Sequence, residues 1–190
     1  MLGFVETVTD RRRPERTRDR IYADITHYAR QQRAEITPSF LFKLFFLTPG
    51  FSLVLGRRIQ EGSVKIPFVG RALRRLLWAR SCIRHGCELA IGTPIGGGLY
   101  IPHPFAIVIG YGTIGRNVTI LQGVTIGNRA GTDGSGTIIA DGCYLGAGAK
   151  ILGDVVVGEN ATVGANSVVL GDVPPGATAV GIPAKIIRTL

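Results

Sequence analysis

The sequence predicts a β-helix built on a six-residue repeat, preceded by an α-helical segment. Three observations predict it. An aliphatic residue recurs every six positions: Leu89, Ile95, Ile101 and Ile107, then after one added residue Ile114, Ile120 and Ile126, then Ile139, Leu145, Ile151, Val157, Val163 and Val169. Of the 27 glycines, 22 lie from Gly86 onward. Charge divides at the same place. Residues 1–86 hold 17 Lys/Arg against 7 Asp/Glu, and residues 87–190 hold 5 against 6, so the net +9 belongs almost wholly to the first part. A chain of 190 residues accommodates one domain with an accessory segment. The expected division is a helical segment over 1–86, the repeat over 87–175 with an inserted loop at 128–138, and a C-terminal extension over 176–190.

In the first part, Thr17 to Gln32 reads as an amphipathic helix, with Ile21, Ile25 and Tyr28 at helical spacing. Thr37-Pro38 is a start signal, because Thr caps and Pro suits the first helical position. That second helix runs to about Leu47, where Pro49-Gly50 breaks it. A third covers Phe51 to Gln60 and ends near Gly62. A fourth, about Val69 to Ile83, turns Leu73, Leu76, Leu77 and Trp78 inward and Arg71, Arg74, Arg75 and Arg80 mostly outward.

The repeat has a physical reason. Each hexad makes one short strand and one corner, and three hexads make a coil of about 18 residues. The aliphatic residue points into a narrow dry core. The following position is often Gly or Ala, as at Gly115, Gly127, Ala140, Gly146, Gly158 and Gly164. The fifth is small or β-branched, as at Val118, Val124, Cys143, Ala149, Val155, Ala161 and Ser167. Stacked coils pair as parallel strands. An end of such a stack needs a cap, and the helical segment can supply it. Residues 128–138 interrupt the pattern with glycines and polar residues, so they should loop out from one corner. A long loop on a regular scaffold more often binds than stabilises.

Composition narrows the function classes. Cys82, Cys87 and Cys143 lack zinc-ligand spacing, so no metal is expected, and their odd number suggests free thiols in a cytoplasmic protein. No apolar run of signal-peptide type follows the N-terminus. Phe40–Leu55 is apolar but is interrupted by Lys43 and Pro49-Gly50, which favours packing over a membrane span. The basic first part reads as a solvated face, or as peripheral contact with anionic lipid. Arg11-Arg12-Arg13, with Arg16, Arg18 and Arg20, is not followed by a nucleic-acid-binding module, so no nucleic-acid partner is expected.

Several stretches together resemble the serine O-acetyltransferase family of hexapeptide-repeat acetyltransferases. They are Ile101-Pro102-His103-Pro104, residues 117–127, residues 146–153, Val173-Pro174-Pro175, and Gly181-Ile182-Pro183-Ala184-Lys185. The likeness is strong over roughly Cys87 to Ile187. It extends weakly to Pro49-Gly50-Phe51 and Arg57-Arg58-Ile59. The resemblance implies a left-handed parallel β-helix, a homotrimer, and acetyl-CoA bound between neighbouring subunits.

It also implies roles. His103 matches the His that deprotonates the acceptor hydroxyl. Glu88, fifteen residues earlier, stands where the family usually has an Asp that orients it. Gly127, Ala147 and Ala165, stacked on successive coils, would line the cofactor's pantetheine arm. Lys185 would reach its phosphates. Two family features differ. Pro102 replaces the Asp that contacts serine, and Ser135 and Gly136 replace an Arg-His pair near the loop's end. Without these charges a serine site loses charge-assisted bonds worth about 1.5–3 kcal/mol each. The expected acceptor is therefore a sugar hydroxyl of surface-polysaccharide biosynthesis, with serine as the alternative and a non-catalytic solenoid as the alternative of another class.

The remaining histidines carry weaker expectations. His27 reads as a surface residue. His85, eighteen residues before His103, would stack on it only if the first coil is regular. A γ-type carbonic anhydrase would need three convergent histidines, and only His103 lies inside the repeat. An ice-binding solenoid would show a continuous Thr ladder, and Thr113, Thr119, Thr125, Thr137 and Thr162 do not make one.

Overall fold

Among the described residues, the helices α1 (Thr17–Gln31), α2 (Pro38–Leu47), α3 (Pro49–Ser63) and α4 (Gly70–His85) lead into thirteen short strands. This computed structural model describes residues 15–128 and 136–188. The Arg11-Arg12-Arg13 cluster, Ser135 and most of the inserted loop lie outside the described residues.

Each helix boundary has a local cause. The Thr37 hydroxyl accepts the Phe40 N–H, and Pro38 opens α2. Pro49 does not merely break the apolar run. It starts α3, so the helix begins two residues earlier than the pattern suggested. Helix α4 stops at Gly86, whose φ of 60° is left-handed and whose N–H returns to Cys82 O. The apolar stretch expected to pack does so on one side. Phe40, Leu44, Phe51, Leu53 and Val54 are buried, while Phe42, Phe46 and Leu47 are exposed. No single helix among the described residues is long and apolar enough to cross a membrane.

The strands form three parallel faces. The first runs β1 (Glu88–Leu89), β2 (Val108–Ile109), β5 (Thr125–Gly127), β8 (Lys150–Leu152) and β11 (Val168–Val169). The second holds β3 (Gly112–Ile114), β6 (Thr137–Ile139) and β9 (Val156–Val157). The third runs β4 (Thr119–Ile120), β7 (Tyr144–Leu145), β10 (Thr162–Val163), β12 (Thr178–Gly181) and β13 (Ala184–Arg188), the last antiparallel. Ile120, Leu145, Val163 and Ala179 stack inside the third face, so the core continues into the segment expected to be an extension. All thirteen predicted core aliphatics are buried.

Strand pairing corrects the register at two places. On the first face, Leu89 pairs with Ile109 and Ile109 with Ile126, so Ile109 takes the stacked position assigned to Ile107. Ile107 is also buried, in the column of small fifth residues with Val124 and Ala149. The cause is the corner after Ile101, which is two residues longer than a regular hexad. The second place is the inserted loop. Thr119 pairs with Tyr144, 25 residues on, whereas Tyr144 pairs with Thr162, 18 on, so the insertion adds seven residues to one coil. Thr137 and Ile138, expected in the loop, belong to β6, and the Thr137 side chain is buried on Gly153 O.

The helices cap the open end of the stack with polar side chains. The first coil has no coil beneath it, and its carbonyls need partners. Arg58, fully buried, donates to Ile95 O and Gly96 O while pairing with both oxygens of buried Asp24. Asp24 Oδ1 also accepts the N–H groups of Gly98 and Leu99. Arg57 donates to Leu89 O, Ala90 O and Thr93 O. The Tyr28 hydroxyl bonds the backbone of Ile101. Gly50 lets α3 approach, because a Cβ there would lie 1.7 Å from Ile101 O.

Candidate active site

His103 sits on the corner that carries the two extra residues, between the third face and the first. Pro102 and Pro104 flank it, and Pro104 is buried while His103 and Phe105 are exposed. The corner is held on three sides. Phe105 N–H bonds His103 O, Ala106 N–H bonds Gly86 O, and Gly123 N–H bonds Phe105 O. Ala106 has φ of 53°, the left-handed conformation that lets the chain turn back into β2. The cap reaches this corner directly, since Tyr28 fixes Ile101 two residues before His103. The helical segment therefore does more than close the stack: it bonds the backbone where the His103 corner begins.

Glu88 lies in β1, and its N–H bonds Ile107 O on the strand that leaves the corner. Its side chain is exposed, and none of the described hydrogen bonds or ion pairs joins it to His103. The register explains this. Glu88 pairs with Val108, so the residue stacked on it is five positions beyond His103. The Glu88 carboxylate instead lies near Cys82. Burial first, and then that carboxylate, push the Cys82 thiol up.

Ala147 and Ala165 are on the His103 corner. Asn166 N–H bonds Ala147 O, and the pairing of Leu145 with Val163 puts Ala147 under Ala165. Ile120 N–H bonds Tyr100 O and Gly123 N–H bonds Phe105 O, so Leu121 and Gln122 of the next coil lie opposite the four residues 102–105 of the His103 corner. Beyond that corner the column reads Gln122, Ala147, Ala165 and Gly181, the last at the end of β12. Its three steps span roughly 14 Å at about 4.8 Å per coil. Lys185 is exposed and pairs with Val180 in the hairpin that closes the column.

Gly127 is not in that column. It ends β5 on the first face, pairs with Leu152, and stands where the inserted loop departs. The expectation of one stack of Gly127, Ala147 and Ala165 therefore fails for its first member, because the seven extra residues displace the count. Gln122, beside the His103 corner at the head of that column, was not among the expected site residues, and only the strand pairing shows its place.

The other histidines differ from expectation. His27 is buried, with Nδ1 in a short contact to Gly98 O and Nε2 3.0 Å from Gln31 Nε2. Read as Nδ1–H donating to the carbonyl, Nε2 is free to accept from Gln31. Burial lowers its pKa. His85 ends α4 and does not belong to a coil, so it does not stack on His103. The three cysteines are unpaired, as expected, and burial holds the Cys143 thiol at about 12.

Comparison with known proteins places this geometry. Residues 136–171 match the bacterial transferase hexapeptide model of six repeats. The serine acetyltransferase of Helicobacter pylori J99 is 41% identical over 150 residues, covering 77% of this chain and 85% of that protein. The chain belongs to the serine acetyltransferase family. Two solved members carry ligands. The Neisseria gonorrhoeae enzyme in complex with serine superposes with a TM-score of 0.77 at 30% identity, covering 90% of this chain and 69% of that one. The Brucella abortus enzyme in complex with coenzyme A gives 0.79 at 30% identity, covering 89% and 66%. Membership fixes the enzyme class anticipated from the repeat, an acetyl-CoA-dependent O-acetyltransferase.

Proposed function

We propose that the chain transfers the acetyl group of acetyl-CoA to the hydroxyl of serine, with His103 as general base. The observation that carries this reading is His103 on its braced corner, beside a column that runs from Gln122 through the small residues Ala147, Ala165 and Gly181. The pantetheine arm would run along Ala147 and Ala165, where short side chains leave the backbone accessible, and Lys185 at the far end would meet the phosphates. Gly127, on the other side of the first face, would line the same groove only from a neighbouring copy. That fits the homotrimer of left-handed β-helices implied by the family likeness. The three unpaired cysteines favour the cytoplasm as its location.

The chemistry is direct transfer. His103 takes the proton of the acceptor hydroxyl as the oxygen attacks the thioester carbonyl. The new O–C bond forms, the C–S bond breaks, and the proton passes from the imidazole to the departing thiolate. A backbone N–H would stabilise the oxyanion between these steps. No acyl-enzyme is needed. Glu88 would orient the imidazole only after its side chain turns from the Cys82 side toward the corner.

A second reading has a specific observation behind it. Pro102 stands where the family has the Asp that contacts serine, and this favours an uncharged acceptor such as a sugar hydroxyl of a surface polysaccharide. The relatives favour serine; the residue favours sugar. Thiol release from acetyl-CoA, measured with serine, simple sugars and polysaccharide fragments, separates the two. Saturable turnover with serine is expected. Turnover confined to saccharides would replace serine by the second reading.

A further inference from the structure

We propose that helix α4 and the loop before it form a docking face for an anionic lipid surface. This goes beyond the transfer reaction and does not depend on which acceptor is used. The helix departs from its expected orientation: Leu76, expected inward, is 58% exposed, and Ile83 is 86% exposed. At 100° per residue, Ala72, Leu76, Ala79 and Ile83 fall on one outward stripe. Arg71 and Arg75 flank it on one side and Arg80 and Arg84 on the other, all four exposed.

The loop extends the same character. Val64, Ile66, Phe68 and Val69 are all exposed. Phe68 is fully exposed, and its φ of 63° holds a bulky side chain out on a strained backbone. From Val64 to Gly86 the chain has six Lys/Arg and no Asp or Glu.

Charge decides the occupant. A twofold pairing of this face with itself would bring arginines against arginines, with no carboxylate on α4 or the loop before it to relieve them. A nucleic acid matches the charge but offers nothing to an aliphatic stripe, since its bases stack on aromatic faces. An anionic bilayer matches both, with the aliphatic and phenyl groups entering the headgroup boundary and the arginines meeting phosphate. The face also adjoins the reaction centre. Helix α4 ends at Gly86, whose carbonyl holds the Ala106 N–H on the His103 corner.

The test is co-sedimentation of the full chain with phosphatidylcholine vesicles, with and without about a quarter phosphatidylglycerol. Binding is expected only with phosphatidylglycerol, and should weaken as salt rises. Leu76→Ser with Ile83→Ser, and separately Arg75→Ser with Arg80→Ser, should each lower binding about tenfold or more, with circular dichroism and acetyl transfer unchanged. Equal binding to neutral vesicles, no binding to anionic ones, or full binding by both double variants would overturn the proposal. So would a smaller assembly of the Leu76→Ser/Ile83→Ser variant in sedimentation velocity, which would assign the face to a second copy.

Discussion

In the solenoid, one coil meets the next through aliphatic side chains and backbone ladders. At the helical cap, the first coil meets α1 and α3 through buried charge. Ile126 touches its neighbours above and below with hydrocarbon alone, and many residues share that role. Arg58 and Asp24 between them satisfy two carbonyls and two amides of one coil. The difference teaches where the molecule is tolerant. A repeating apolar stack spreads its stability over every coil, whereas the cap concentrates it in a few groups that cannot be lost singly.

The largest expected effect breaks the cap. Arg58→Ala leaves Asp24 buried and unpaired with Ile95 O and Gly96 O unsatisfied, and should cost about 3–5 kcal/mol in denaturant unfolding. It should also loosen the His103 corner through Ile101, so activity should fall before the solenoid melts. The stack should yield less. Ile126→Val removes one buried methylene and should cost only about 0.5–1.5 kcal/mol. An equal cost for the two variants would erase the contrast.

A smaller effect sharpens it. His27 is buried against Gly98 O with its pKa lowered by burial. Its neutral form is favoured in the folded state, so its contribution is complete above the unfolded value of about 6.5. That contribution is lost as pH falls through the lowered folded value. Thermal midpoints should therefore drop between about pH 7 and pH 5, and His27→Gln should flatten that drop. An unchanged slope in the variant would remove His27 from the cap's pH response.

The two regions also differed in how much the sequence revealed. Six-residue spacing identified the coils, because a narrow core takes one large aliphatic per hexad with a small residue buried beside it. It misplaced Ile107 against Ile109, since both are isoleucine, both are buried, and only strand pairing shows that the extra residues sit at 102–106. The same bulge carries His103, so the lapse in periodicity falls at the residue proposed as general base. Gly127 was placed in the wrong column because the loop's length hides how many residues rejoin the strand. The cap was harder to read. Helical periodicity found four helices, but it cannot say that Arg57, Arg58, Asp24 and His27 turn inward, because their partners are carbonyls and amides of a coil at least 71 residues away for His27. Leu76 shows the converse: an apolar residue at helical spacing was assumed to face a core that is not there.

The central claim is that the braced His103 corner performs the transfer. The most direct measurement is thiol release by His103→Ala at saturating acetyl-CoA and acceptor, beside coenzyme A binding by calorimetry. The account predicts a loss of activity of at least about 10²-fold, the low end for general-base catalysis, with coenzyme A binding retained. Turnover like that of the unaltered chain would contradict it.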